Sequence, residues 1–187
     1  DEGTGNTAAD GSNNGNSGTL NGNPQWVSGK FGNALQLDGD GDYVAVPGFN
    51  GLTNSSTFSV SAWVKLAGVG TNATDDSGIL NFSGNDADSV LLWYNADAQG
   101  AGNPSYTFNA GSMLTPPENR VNGPQSLALA GSWQHIVGVS SGTGRKLYVD
   151  GILKATGTGS GTGITQNGND LRIGGWDISG SYDFDGL

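Results

Sequence analysis

Residues 57–66, TFSVSAWVKL, decide the fold class, because their polarity alternates with the period of two that is typical of a β-strand. One face of this strand carries the apolar side chains of Phe58, Val60, Ala62 and Val64. The other face carries Trp63 among serines and a lysine. The alternation therefore predicts a half-buried strand with one face against a core.

Segments of the same kind recur on both sides of this strand, separated by residues that favour turns. Residues 148–153 give the sharpest signal, because Asp150-Gly151 between β-forming residues is the preferred type I′ hairpin turn. Many short strands at this spacing predict an all-β sandwich or closed barrel. The further expected strands are 34–37, 43–46, 78–82, 89–95, 105–109, 133–140, 146–149, 152–155 and 171–173.

Two segments lack a strand period. Residues 3–24 have the composition of a linker, rich in Gly, Asn and Ser, and we expect either a flexible tail or a loop ordered by a metal. Residues 111–131 contain three prolines and predict an excursion across the surface. Loops of that length are often functional.

The length and composition limit the classes of protein to which this chain can belong. The length of 187 residues predicts one domain, residues 1–187. The 34 glycines and the charged fraction of only 13% favour short strands joined by tight turns over helices. The absence of cysteine excludes a disulfide framework, a thiolate zinc site and a cysteine nucleophile. This composition favours a secreted or cell-surface module of bacterial or archaeal origin.

The charge balance indicates which classes of partner the chain can bind. A formal net charge of −10 and a pI near 4.1 disfavour nucleic acid and anionic membranes. The same acidic excess suits calcium, a hard cation that takes oxygen ligands. Because no long apolar run is present, we expect no membrane insertion.

A set of short motifs, in this order and spacing, resembles the laminin-G-like jelly rolls of the concanavalin A-like lectin and glucanase superfamily. The resemblance implies two stacked antiparallel sheets, a two-sheet antiparallel β-sandwich, with ligands bound across a concave face or its rim loops. The motifs are Asp1-Glu-Gly-Thr-Gly, Ala8-Ala-Asp10, residues 29–35 and 38–44, residues 58–64, Trp133-Gln-His135-Ile-Val, Leu147-Tyr-Val-Asp-Gly151 and Phe184-Asp-Gly-Leu187.

The chain departs from the resembling domains at both ends. Those domains have a strand before the Asp-Glu-Gly segment and another after Phe-Asp-Gly-Leu, and the two ends commonly pair. Residues 1–187 lack both the first and the last strand. We therefore expect the domain to belong to a longer chain, with the sheets completed by further residues or by a neighbouring domain or chain.

The resemblance also implies a structural Ca²⁺ in the loop from Asp10 to Asn16, with Asp10, Asn13 and Asn16 as ligands. The stretch Asp38-Gly-Asp-Gly-Asp42 is a weaker metal candidate. It matches the opening of a calcium-binding helix-loop-helix loop, but Phe49 stands where that loop requires glutamate. A turn in which Asp38 and Asp42 bond backbone amides is favoured there.

The residues required for catalysis are not found in a catalytic arrangement. Glycoside hydrolysis normally needs two neighbouring carboxylates, whereas Glu2 and Glu118 lie in different loop segments. The single histidine, His135, lies within a strand pattern and is interpreted as structural. We therefore predict that the chain is not an enzyme, and an unusual polysaccharide hydrolase or lyase is the third alternative.

Sugar binding requires an exposed aromatic ring with polar side chains beside it. Core packing is the default expectation for Trp26, Trp63 and Trp133, which lie in segments shared by the resembling domains. The sequence predicts a carbohydrate-binding or adhesion module whose partner is a polysaccharide or other glycan. A structural module of a surface layer or filament is the alternative. The predicted ligand-binding residues are Trp93, Tyr94, Trp176, Asn95, Arg120 and Asp177.

Overall fold

The computed structural model describes residues 2–68, 76–82, 89–96, 104–112, 119–161, 163–164, 170–175 and 183–187. Within these ranges the regular structure is entirely β, and no helix occurs. The strands in chain order are β1 (Thr7–Ala8), β2 (Gly18–Asn21), β3 (Gln25–Ser28), β4 (Asn33–Asp38), β5 (Tyr43–Val46), β6 (Thr57–Val64), β7 (Ser77–Phe82), β8 (Ser89–Asn95), β9 (Ser105–Gly111), β10 (Arg120–Asn122), β11 (Gln134–Ser141), β12 (Gly144–Val149), β13 (Ile152–Thr158), β14 (Leu171–Ile173) and β15 (Asp185–Gly186).

These strands form three antiparallel sheets. An eight-stranded sheet has the order β1-β2-β5-β14-β7-β8-β9-β10, and a four-stranded sheet has the order β13-β12-β11-β6. A small third sheet has the order β15-β4-β3. The predicted all-β antiparallel sandwich is confirmed.

The core lies between the eight-stranded and the four-stranded sheets. Phe108 of β9 points into it, and its ring lies 6.4 Å from the ring of Phe58 on β6. Gly138 of β11 makes room for that ring, since a Cβ at this glycine would lie 2.2 Å from a Phe108 ring carbon. Tyr106, one pleat along β9, donates a hydrogen bond of 2.8 Å to Gln134 of β11. The side chains of β9 therefore join the two sheets.

The strand and turn predicted with the sharpest patterns are confirmed. In β6, Phe58, Val60 and Ala62 are half-buried against the core, as the period of two predicts. The β12–β13 hairpin turns at Asp150 and Gly151 with φ of 52° and 77°. Both values are positive, as a type I′ turn requires.

Strands also occur in two segments for which the sequence predicted none. Residues 3–24 hold β1 and β2, which extend the eight-stranded sheet, so the flexible-tail interpretation is wrong there. Gly18 is needed for packing, because a Cβ at this position would lie 2.3 Å from a methyl carbon of Val44. Within the excursion at 111–131, β10 pairs with β9. In both segments the sheet pairing outweighs a composition that resembles loops.

Candidate functional site

The face of the eight-stranded sheet that is turned away from the core carries a row of five aligned side chains, four of them polar. Alternate residues of β8 and β9, such as Leu92 and Phe108, belong to the core cluster, so their neighbours in sequence point to the opposite face. Strand register aligns those neighbours across five adjacent strands, a span of roughly 19 Å at the usual strand spacing. In order from β14 to β10, the row is Arg172, Asn81, Leu91, Asn109 and Arg120. We call it the polar row.

A second line of residues runs beside the polar row, one pleat further along the strands. Trp93 of β8 pairs with Thr107 of β9, and Thr107 pairs with Asn122 of β10. The Thr107 hydroxyl donates a hydrogen bond of 3.0 Å to Oδ1 of the Asn122 side chain. The indole of Trp93 thus lies among amide and hydroxyl groups on this face.

The polar row is buried at its centre and more open at its ends. Asn81 and Asn109 are 3% and 0% exposed, whereas Arg172 and Arg120 are half-buried. The Arg172 guanidinium lies 4.5 Å from the ring centroid of Tyr43. The guanidinium groups at the two ends can each donate several hydrogen bonds to an oxygen-rich ligand.

The predicted ligand-binding residues fall in different places. Trp93 lies beside the polar row and Arg120 at its end, but Tyr94 packs in the core. Trp93 and Tyr94 are each 2% exposed, so the expectation that these rings are open to solvent is wrong. Both lie in the middle of the sheet, where neighbouring strands flank β8 on either side.

Asn95 is half-buried at the end of β8. Trp176 and Asp177 lie outside the described residues.

Among the four tryptophans that the structure describes, Trp63 is the exposed one, at 39%. Its ring stacks on His135 with centroids 5.0 Å apart, and Phe31 meets it edge-on at 5.6 Å. The expectation of core packing for Trp63 is wrong, because odd positions of β6 point away from the core. The signal was present in the sequence, where Trp63 lies on the polar face of 57–66. Trp26 and Trp133 are half-buried.

The loop from Asp10 to Asn16 closes around the Asp10 carboxylate. One carboxylate oxygen accepts a hydrogen bond of 2.8 Å from the Ser12 amide, and the other accepts one of 2.9 Å from the Asn16 amide. Bonds from the Ser12 side chain and from these amides lower the pKa of Asp10 to about 2. Asn13 has a φ of 64° in this tight loop. The loop presents an ionised carboxylate and neutral oxygen donors, a ligand type suited to Ca²⁺.

The turn from Asp38 to Asp42 is held by backbone amides, as the sequence favoured. Asp42 is 1% exposed, and its two carboxylate oxygens accept hydrogen bonds from the amides of Asn23 and Asp38 at 2.6 and 3.3 Å. Asp38 accepts a bond of 3.0 Å from the Asp40 amide. Burial and the Asp38 charge raise the pKa of Asp185, which pairs with Asp38 across β4 and β15. Within the described ranges, no three acidic, histidine or cysteine side chains form a metal-binding group.

The acidic residues considered for catalysis are not seen together. Glu2 accepts a hydrogen bond of 3.1 Å from the Ala9 amide, and backbone hydrogen bonding lowers its pKa. Glu118 lies outside the described residues. Among the described positions of the polar row and the line beside it, none is a carboxylate. The groups of the polar row that are accessible for binding are therefore the half-buried guanidinium groups of Arg172 and Arg120.

Comparison with protein families gives one match over most of the chain. Residues 38–187 match a family profile described as the Concanavalin A-like lectin/glucanases superfamily. No curated protein matches the sequence. Among the described residues, no helix is long and apolar enough to cross a membrane.

Solved structures share the fold at low sequence identity. Domain 4 of AbnA, a GH43 extracellular arabinanase from Geobacillus stearothermophilus in complex with arabinotriose, is similar with a TM-score of 0.70 and 22% identity over 95% of this chain and 82% of that chain. Tailspike protein 2 of the Escherichia coli O157:H7 bacteriophage CAB120 is similar with a TM-score of 0.64 and 14% identity over 91% of this chain and 24% of that chain. The CBM40 of Ruminococcus gnavus IT-sialidase, bound to α2,3 sialyllactose, has a TM-score of 0.52 and 14% identity over 70% of this chain and 71% of that chain.

Proposed function

This chain belongs to the concanavalin A-like lectin/glucanase superfamily, and on that premise we propose that it is a non-catalytic, extracellular carbohydrate-binding or adhesion module. The observation that carries the proposal is the polar row beside Trp93 on the outer face of the eight-stranded sheet. The similar folds that were solved with arabinotriose and with sialyllactose support a glycan as the class of ligand. The acidic, cysteine-free composition supports an extracellular location.

The division of the polar row into buried and half-buried members assigns their roles. The half-buried Arg172 and Arg120 contact the glycan and donate hydrogen bonds to its hydroxyl oxygens. Asn81 and Asn109 are buried and hold the floor of the face in place. The span of roughly 19 Å between the ends of the row suits an extended oligosaccharide better than a single sugar.

Removal of one arginine tests this site. We expect Arg120→Ala to weaken glycan binding about tenfold, or about 1.4 kcal/mol, because it deletes hydrogen-bond donors at one end of the row. The ligand is first identified on a glycan array and the affinity is then measured by calorimetry.

The matched control is Lys146→Ala. Lys146 is exposed on β12 of the four-stranded sheet, so this variant makes the same change in charge on the opposite side of the molecule. We expect its affinity to equal that of the unaltered chain. Equal losses in both variants would place the site elsewhere or reduce it to a general charge effect. An array with no bound glycan would favour the structural module of a surface layer or filament.

We also propose that the loop from Asp10 to Asn16 holds a structural Ca²⁺, with Asp10, Asn13 and Asn16 among its ligands. The ionised Asp10 carboxylate and the surrounding side-chain and backbone oxygens support this assignment. With a single carboxylate in the loop, we expect affinity in the millimolar range that is typical of weak extracellular sites.

Thermal melting with millimolar calcium and with chelator tests the calcium proposal. Because a ligand that binds only the folded state stabilises it, calcium should raise the melting temperature of the unaltered chain. Asp10→Asn should abolish that rise, whereas Asp40→Asn, in the other acidic turn, should keep it. A melting temperature that is the same with calcium and with chelator would contradict the proposal.

A further inference from the structure

The outer face of the eight-stranded sheet continues beyond the polar row toward β1. The register that aligns the polar row extends from Arg172 of β14 to Ala45 of β5, then to Thr19 of β2 and Thr7 of β1. Thr19 and Thr7 are exposed and Ala45 is half-buried, whereas the two asparagines at the centre of the polar row are buried. The accessible part of this face therefore includes β1, β2, β5 and β14.

Packing on the core side shows which side chains of β2 and β5 point outward. Val44 of β5 is buried in the core, so its neighbours Tyr43 and Ala45 point to the outer face. Gly18 of β2 faces Val44, and Thr19 therefore points outward as well. The strands β2, β5 and β14 thus present one row of side chains to the outside, about 4.8 Å apart from strand to strand.

Ala45 has the smallest side chain of this surface. Across the strands, it lies between Arg172 and Thr19, which are both larger. Along β5, the same face carries Tyr43 one pleat before it and the exposed Pro47 one pleat after it. A methyl group surrounded by larger side chains leaves a shallow depression with an apolar floor. Such a floor suits the less polar face of a sugar ring.

The rim of the depression carries groups that can bind sugar hydroxyls. The Arg172 guanidinium lies 4.5 Å from the centroid of the Tyr43 ring, so this ring holds the guanidinium beside the depression. A guanidinium stacked on a ring donates hydrogen bonds from the edge of its plane. On the opposite side, Thr19 carries a hydroxyl, and the Asn21 amide group donates a hydrogen bond of 3.0 Å to the Thr19 carbonyl. The rim therefore offers donors and acceptors on two sides.

The charges beside the depression have opposite signs. The Asp170 carboxylate accepts a hydrogen bond of 3.3 Å from the Gly48 amide, and the register places Asp170 opposite Pro47 on the same face as Arg172. One carboxylate and one guanidinium thus flank the depression. Because the chain has a net charge of −10, a sugar acid would be repelled at long range. This balance favours a neutral sugar, whose hydroxyls both donate and accept hydrogen bonds.

We propose that this depression binds one neutral sugar residue of the glycan, and that Tyr43 is a positioning residue that holds Arg172 beside it. We call the site the β5 subsite. It consists of Thr19, Asn21, Tyr43, Ala45 and Arg172. The inference rests on the proposed function, and it extends the bound glycan past Arg172 across β5 to β2, a further span of about 10 Å.

Filling the depression tests the β5 subsite. We expect Ala45→Leu to weaken binding of the glycan identified on the array at least tenfold, because the larger side chain occupies the place of the sugar ring. The melting temperature should stay the same or rise, since leucine adds no polar group and the position is only half-buried. The matched control is Ser59→Leu, which adds apolar bulk at an exposed position on the outer face of β6. Its affinity should equal that of the unaltered chain.

Two substitutions of Tyr43 test its positioning role. Tyr43→Leu removes the ring under the Arg172 guanidinium and should weaken binding about fivefold. Tyr43→Phe keeps the ring and should restore the affinity to within about twofold of the unaltered chain. A purely structural role of the phenol hydroxyl would give the same loss in both variants, and that result would overturn the positioning role.

The choice between neutral and acidic sugars is tested on the unaltered chain. The neutral oligosaccharide should bind at least tenfold more tightly than the matched oligosaccharide in which one sugar is replaced by its uronic acid. A preference for the uronic acid form would overturn the assignment of a neutral sugar.

The variants also separate the β5 subsite from the wider proposal. Unchanged affinity in Ala45→Leu together with weaker binding in Arg120→Ala would overturn the β5 subsite and leave the proposed function intact. Equal losses in Ala45→Leu and Ser59→Leu would overturn it too. A loss in Ala45→Leu with no effect of Arg120→Ala would support the β5 subsite and remove Arg120 from the glycan site. If no glycan binds on the array, both proposals fail.

Discussion

At the scale of single residues, Trp93 and Trp63 lie on different sheets and differ in exposure, at 2% and 39%. Trp93→Ala removes a ring that is enclosed by the eight-stranded sheet and its surroundings, so we expect a loss of about 3 to 5 kcal/mol in the free energy of unfolding. Trp63→Ala removes a partly solvated ring and should cost about 1 kcal/mol. Urea denaturation of both variants measures the difference. Equal losses would contradict the assignment of Trp63 to the exposed face.

The sequence could identify which residues share a face of a strand, but not which strands are neighbours. Asn81, Asn109 and Arg172 were not predicted as site residues, because only the pairing of β14 with β7 and of β8 with β9 places them in one row. The burial of Trp93 could not be predicted from the sequence either. A period of two indicates that Trp93 and Leu92 point to opposite faces of the sheet, but it does not indicate that the face with Trp93 is also covered.

At the scale of strands, Gln134 is a polar link between the two main sheets. Its side-chain oxygen accepts bonds of 2.8 Å from the Tyr106 hydroxyl and from the Leu129 amide, and its amide group donates one of 3.1 Å to the Leu127 carbonyl. Burial raises the pKa of Tyr106, so its hydroxyl remains a donor at neutral pH. The link holds the segment before β11 against β9.

Gln134→Leu should therefore destabilise the protein by about 3 kcal/mol, because it leaves one buried and two partly buried polar groups without this partner. Tyr106→Phe removes one of the bonds and should cost about 1 kcal/mol. Gln36→Leu, an exposed position on β4, serves as the control and should change stability by less than about 0.5 kcal/mol. Chemical denaturation gives all three values. A Gln134 variant as stable as the Gln36 variant would show that water replaces the link.

The strands that were predicted from the sequence are those with several alternating apolar side chains. The predicted ranges 43–46, 89–95 and 171–173 agree with β5, β8 and β14 at both ends. The strands that were missed, β1, β2, β3, β10 and β15, contain two to four residues each. None of them has two apolar side chains at alternate positions, whereas the equally short β5 and β14 do. Their extended conformation depends on hydrogen bonds to a partner strand.

At the scale of the whole molecule, the two sheets have different surfaces. The outer face of the eight-stranded sheet carries two of the three arginines of a chain whose net charge is −10. The third, Arg145, is 1% exposed and donates to backbone carbonyls, including that of Ala110 at 2.6 Å. The guanidinium groups that can reach a ligand are thus concentrated on the polar row.

The position of β14 also determines the order in which the chain can fold. This strand lies between β5 and β7 in the eight-stranded sheet, although residues 171–173 follow β5 by more than a hundred positions. During synthesis from the amino terminus, β1, β2 and β5 cannot join β7 through β10 until residue 173 has left the ribosome. Such non-local pairing is slow to form, and it leaves edges open in the nascent chain. We therefore expect the sheet to assemble late, and premature release of the chain before β14 to yield aggregation rather than a smaller folded unit.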